Sequence, residues 1–191
     1  MHVAFVAFDD MTALDLVGPF DALTRLETMD LHDGPITWEL VSPDGDEAVA
    51  TAEFPVRVDA VGSLADADLV VVPGGAGARD RTTDDAFLDW LRTADPDIWA
   101  SVCTGSLLLG AAGILEGRRA TTHPTAYDLL EPYCEAVVRE RVVDEDTVVT
   151  ARGVTSGIDL GLHLVERIAG RDARERATIR MDYQTRTETS G

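Results

Sequence analysis

Short apolar runs alternate with helix-like stretches along the whole chain, and this alternation most narrows the folds open to it. "HVAFVAF" (2–8), "DADLVVVPGG" (66–75) and "IWASVC" (98–103) read as strands buried on both faces, and "ITWELVS" (36–42) as a strand with alternating sides. Between them, apolar residues recur at helical spacing. They do so from Thr12 to about Met29 (Leu14, Val17, Leu23, Leu26), where Gly18-Pro19 predicts an interruption, and in 84–94 (Phe87, Leu88, Leu91). Residues 104–113 predict a helix of small residues, 156–170 a helix capped by Gly170, and 172–182 a last helix. Pro55 restricts 53–60 to an edge or hairpin piece. A strand near Ala120–Thr122, a helix near 125–131 and paired strands around 136–143 and 146–151 complete the pattern.

Strands without a polar face need cover on both sides, so the expectation is an α/β fold: a single doubly wound, flavodoxin-like sandwich with a mostly parallel central sheet. A length of 191 residues suits one such domain, expected over 1–185, with 186–191 as a C-terminal tail and the final "TRTETSG" frayed. Sites in these sheets form at the carboxyl ends of the strands, which places Asp9–Asp15, Gly74–Gly77 and Cys103–Thr104 on one rim.

The residue on that rim with most chemistry is Cys103, in "ASVCTGSLLLGAAG" (100–113). A strand running straight into a helix makes a tight elbow that can raise a nucleophile against backbone N–H groups, and Gly105 and Ser106 are small enough for close approach. The start of a helix would also favour thiolate and lower the thiol pKa. The plainer alternative is a buried cysteine packed as a small hydrophobe. Two stretches bear on the choice. "VVVPGGAGARD" offers a glycine turn whose N–H groups can stabilise an anion, and "MTALDLVGPFDAL" sets Asp15 where it is either a solvated cap or a partner in the same crevice.

Charge narrows the partners. Thirty-five acidic residues face 16 basic ones, all arginine, for a net charge of −19, so nucleic acid and anionic membranes are excluded as partners and a solvated surface suited to a salty, halophilic cytoplasm is expected. No apolar run reaches the roughly 18 residues of a membrane span, and the N-terminus lacks a basic leader; a cytoplasmic protein is the simplest expectation. Two cysteines without CxxC or HExxH argue against both a disulfide framework and a metal site. Cys134 reads as structural, His163 as a satisfied core or interface residue, His2 and His32 as having no partners, and Trp38, Trp90 and Trp99 as core or interface aromatics. Tyr183 is a candidate for closing the pocket.

Together "HVAFVAFDDMTALDLVGPFDAL", "VVPGG", "SVCTGSLLLGAAGIL", "RATTHPTAYDLL" and "VVTARGVTSGIDLGLHLVE" resemble the ThiJ/PfpI superfamily, which has the class I glutamine amidotransferase-like fold, over roughly 1–185. Thr104 after the cysteine, "LDLVGP" and "GVTSGID" look most like its isonitrile (isocyanide) hydratase branch; the amidase-like domain of certain AraC-type regulators is also similar. The resemblance implies that Cys103 is the nucleophile and Asp15 its acidic partner. It gives oxyanion positions to the N–H groups of the Gly74–Gly75 turn (Gly75 above all) and Thr104, and a pocket lining to Gly153, Val154 and Thr155. His123, 20 residues beyond the cysteine, matches a histidine of deglycase-like members and either assists the thiol or only bonds a crowded turn. Protease-like members carry histidine where Thr104 stands, so peptidase activity is not expected. The branch implies hydration of isonitriles to N-substituted formamides through a covalent thioimidate, with a small-molecule substrate, no cofactor or metal, and a homodimer. The same thiol leaves two other readings open, a glyoxalase- or deglycase-like activity on reactive aldehydes and a non-catalytic redox or small-molecule sensor.

Overall fold

The computed structural model describes residues 1–184; the expected domain boundary at 185 and the "TRTETSG" tail lie outside the described residues. The N-terminal half runs β1 (His2–Val6), α1 (Ala13–Leu23), α2 (Arg25–Thr28), β2 (Thr37–Ser42), β3 (Glu47–Ala50), β4 (Phe54–Arg57), β5 (Ala60–Val61), β6 (Leu69–Val72), α3 (Ala76–Asp80) and α4 (Asp85–Leu91). The remainder is β7 (Ile98–Val102), α5 (Gly105–Ala111), β8 (Arg119–Ala120), α6 (Tyr127–Leu130), β9 (Ala136–Val137), β10 (Val142–Asp144), β11 (Val148–Ala151), α7 (Ser156–Ala169) and α8 (Arg171–Arg180).

The main sheet has seven strands in the order β10-β11-β7-β6-β1-β2-β5, all parallel except β10 against β11. Its five central strands follow the second-first-third-fourth-fifth order of flavodoxin-like sheets. Helices α1 and α7 pack on each other over one face, and α3 and α5 over the other. β1, β6 and β7 are therefore covered on both sides, and Val3–Phe8, Leu69–Val72 and Trp99–Val102 are almost wholly buried. The doubly wound expectation holds.

Three local expectations fail. Gly18-Pro19 does not break the first helix: α1 runs through both, and the break falls at Thr24. The pair serves a helix crossing instead. A Cβ on Gly18 would sit 3.4 Å from the backbone of Gly157, while a Cβ on Gly161 would lie 2.6 Å from Ala22 Cβ and 2.9 Å from Pro19 Cα. The strands around 136–143 and 146–151 pair only in part: β10 and β11 form the antiparallel edge, but Ala136–Val137 joins β8 in a separate parallel pair. His2 and His32 do have partners, since the His2 ring bridges Thr37 Oγ1 (2.8 Å) and Glu39 Oε1 (3.1 Å), and His32 Nδ1 meets Gly34 O (3.2 Å). Pro55 does lie in a two-strand hairpin, β3–β4, as its missing N–H requires.

Candidate active site

Four strands deliver the site. Their carboxyl ends lead into α1, the 73–75 turn, the elbow at Cys103 and the loop at 152–155, each from a neighbouring position in the sheet. β7 passes into α5 with only Cys103 and Thr104 between them, and the turn is made by placing Cys103 at φ +56°. That left-handed conformation costs about 1–3 kcal/mol for a non-glycine residue and is held by the surroundings. Cys103 N–H donates to Ala151 O (2.9 Å), and its carbonyl accepts from Ser106 Oγ (3.1 Å) and Thr122 Oγ1 (2.9 Å), both fully buried.

The glycine turn lies against the elbow. A Cβ at Gly74 would fall 2.5 Å from Thr104 N and 2.9 Å from Cys103 Cβ, and one at Gly105 would fall 2.7 Å from Pro73 O, so neither position accepts a side chain. Gly75 at φ +135° pairs with Met11 in an isolated bridge, and Thr12 N–H donates to Gly74 O (2.8 Å). These contacts tie the glycine turn to the start of α1.

Asp15 stands in the first turn of α1 with no solvent exposure. Its Oδ2 accepts from Gly74 N–H (3.2 Å), while Oδ1 has no hydrogen-bond partner. The carboxyl lies against the Cys103 thiol, close enough for each to alter the other's titration without a fully formed S–H···O bond. Burial raises the Asp15 pKa to about 7, outweighing the Gly74 N–H and the thiol, which both favour the charged form. The expected depressed thiol pKa is overturned. Cys103 is 6 % exposed, and burial, then the negative charge of Asp15, push its pKa up to about 12. Thr104 N–H and hydroxyl favour the thiolate but do not offset those two effects. The resting pair is a neutral thiol beside a carboxyl poised near neutrality.

The proposed oxyanion donors are partly committed. Gly74 N–H is spent on Asp15, and Gly75 N–H donates to Thr104 Oγ1 (2.9 Å), which in turn donates to Gly75 O (3.0 Å). The groups that favour the anionic sulfur are both from Thr104, its N–H and its hydroxyl. Gly153 covers the other side of the thiol: at φ +90°, a Cβ there would lie 2.8 Å from Cys103 Cα and 3.0 Å from Sγ. Its N–H donates to Ser156 Oγ, and Val154 and Thr155 continue the loop into α7. His123 turns its Nδ1 to Thr125 Oγ1 (2.9 Å) and accepts from Thr125 N–H (3.3 Å), capping the 124–126 turn. Tyr183 donates to Asp159 Oδ2 (3.0 Å).

Outside this cluster, His163 Nε2 meets Asp144 Oδ2 (2.6 Å), and Cys134 Sγ faces Leu130 O (3.6 Å). Trp90 Nε1 donates to Gly62 O (2.7 Å) and Trp38 packs edge-on against Phe20. Among the described residues no group of three or more His, Cys, Asp or Glu could hold a metal, and no helix is long and apolar enough to cross a membrane. Sequence reasoning missed Thr122 and Ser156; hydroxyls at those positions carry no pattern in one dimension, and only their contacts mark them.

The sequence profile of the DJ-1/PfpI family matches residues 1–167. Isonitrile hydratase of Pseudomonas putida is 34% identical over 188 residues, covering 96% of this chain and 78% of that protein. The HTH-type transcriptional regulator CdhR of Pseudomonas aeruginosa is 34% identical over 70% of this chain, which spans only 41% of the regulator. Among solved structures, a THiJ/PfpI family protein from Pseudomonas syringae superposes with a TM-score of 0.88 at 27% identity, over 99% of this chain and 77% of that one.

Proposed function

Since this chain belongs to the DJ-1/PfpI family, we propose that it is a cysteine-dependent enzyme that hydrates isonitriles to N-substituted formamides. The observation that carries this reading is the fully buried Asp15 carboxyl, with a pKa near 7, set against the elbow thiol of Cys103. A group titrating near the working pH is best suited both to take and to return a proton. The likeness to isonitrile hydratase supports the substrate class.

The order of bond changes starts from the neutral thiol. Asp15 carboxylate takes the Cys103 proton as sulfur attacks the terminal carbon of R–N≡C, then delivers that proton to the same carbon, giving the thioimidate R–N=CH–S–Cys103. Asp15 next takes a proton from a water as its oxygen adds to this carbon and passes that proton to the nitrogen, which leaves the carboxylate free again. Collapse of R–NH–CH(OH)–S–Cys103 releases R–NH–CHO, and the departing sulfur recovers its proton through Asp15. Because thiolate is formed only as it attacks, the high resting pKa of Cys103 is no obstacle. Thr104 N–H and hydroxyl, which favour the anionic sulfur, would support the departing thiolate in the collapse step. Organic cofactors and metals have no part in this scheme.

The test is formamide formation from cyclohexyl isonitrile. Cys103→Ala should abolish it, and trapping a mass increment of one substrate on Cys103 in the wild type would identify the thioimidate. Full turnover by Cys103→Ala ends the proposal. Assayed in parallel, methylglyoxal should be a poor substrate; turnover of methylglyoxal without turnover of the isonitrile would favour the aldehyde reading instead. A small-molecule sensor role gains some support from the regulator CdhR, and a folded protein that binds isonitriles without turnover would favour it.

A further inference from the structure

The loop that covers the nucleophile is held from a different strand. Arg141, beside β10, grips it at both ends: Arg152 N–H donates to Arg141 O (3.0 Å), and Arg141 Nη2 donates to Thr155 Oγ1 (3.0 Å). Between these two anchors lies Gly153, pressed on Cys103. The guanidinium is itself fixed. Its Nε bonds Asp159 Oδ2, which is largely buried on α7 and also accepts from Tyr183 OH (3.0 Å) beyond α8. Arginine suits this place because its planar fork can bond a carboxylate and a hydroxyl in two fixed directions at once, which an ammonium cannot.

We propose that Arg141 is a positioning residue for the nucleophile, holding the 152–155 loop over Cys103 through Thr155, with Asp159 and Tyr183 as its fixed backing. The proposal rests on Cys103 being the reactive group, and it concerns where that thiol sits, not which substrate it takes. A loosened loop exposes the thiol of a cysteine that is now only 6 % accessible, while it also misplaces the wall against which substrate must be oriented.

The two effects move opposite ways, which separates them from simple destabilisation. Alkylation of Cys103 by iodoacetamide, followed by peptide mass at pH 8, should become several-fold faster in Thr155→Val and Arg141→Gln, while kcat/KM for an isonitrile falls ~10- to 100-fold. Arg141→Lys should recover the thermal stability lost on breaking the Asp159 pair, yet stay fast-alkylating. Should Arg141→Gln fail to fold because Asp159 is left buried and unpaired, Thr155→Val decides the matter, since it leaves that pair intact. Wild-type alkylation and turnover in Thr155→Val, or full rescue by Arg141→Lys, overturns the proposal. If the wild type hydrates no isonitrile, the functional reading fails, while faster alkylation in the variants still sustains this one.

Discussion

Asp15 has a folded-state pKa of about 7 against the ordinary 3.8, and the direction of that change decides how the protein responds to pH. Below about pH 4 both folded and unfolded chains hold this proton. Between about 4 and 7 the unfolded chain has lost it and the folded one has not, so this group's contribution to stability falls as pH rises and is flat above 7. The full loss is at most on the order of 4 kcal/mol. Asp15→Asn removes that charge while keeping an acceptor for Gly74 N–H. Its Tm advantage over the wild type should therefore be near zero at pH 4 and largest at pH 8, read by calorimetry across that range. Catalysis should move the other way. The wild-type kcat/KM is expected to rise with pH through about 7, as the carboxylate needed to accept the thiol proton appears, whereas Asp15→Asn should lose ~10²–10⁴-fold. A variant both less stable and inactive at pH 8 would mean that the carboxyl is ionised and paired in the native state, against the geometry seen.

The crossing of α1 and α7 sets how near Asp15 comes to Cys103, because one helix carries the carboxyl and the other follows directly from the Gly153 loop. Gly161 leaves no room for a Cβ between them, Gly157 has Pro19 Cδ only 3.1 Å from where one would stand, and a Cβ at Gly18 would already touch the Gly157 backbone at 3.4 Å. Gly161→Val should force the helices apart, destabilising by ~1–3 kcal/mol as overpacking does. The displaced Asp15 should lower kcat/KM by more than that stability loss explains at temperatures where the variant stays folded. Unchanged kcat/KM in folded Gly161→Val would uncouple the crossing from the site. This element also shows what one dimension conceals. Apolar runs reveal β1, β6 and β7 because their burial on both faces is written into consecutive residues. Gly18-Pro19 misleads because a glycine that breaks a helix and one that seats a neighbouring helix look alike until Gly157, 139 positions further on, is brought alongside. β8 is anticipated near Ala120, but its two-residue partner β9 falls below any period that a pattern can show, so the pairing of the two is not legible. Cys103, Asp15 and the glycine turn are legible as a rim, since strand ends predict one, but the sign of the thiol pKa is not. The helix-start argument is local, whereas burial and the Asp15 charge come from elements far apart in sequence.

For the molecule as a whole, the net charge of −19 is unevenly borne. Helix α8 holds Arg171, Arg174, Arg176 and Arg180 against Asp172 and Glu175, so the rest of the chain is even more acidic than the total implies. Added salt acts on this in two opposed ways. It weakens surface pairs such as Arg25–Asp21 and Arg92–Asp89, each worth about 0–1 kcal/mol when exposed. It also relieves repulsion among carboxylates that have no arginine to meet, since acids outnumber arginines by more than two to one. The second effect involves many more charges, so Tm should rise with KCl. The shape of the rise identifies its cause. The screening length falls from about 10 Å at 0.1 M to about 3 Å at 1 M, so relief of repulsion must be steep below ~0.5 M and nearly spent above it. A rise that instead continues linearly into the molar range would come from exclusion of salt from the protein surface. It would appear equally in variants with exposed Asp and Glu replaced by Asn and Gln. A Tm that falls with added KCl would mean that the arginine pairs, not the unpaired acids, dominate the surface energetics.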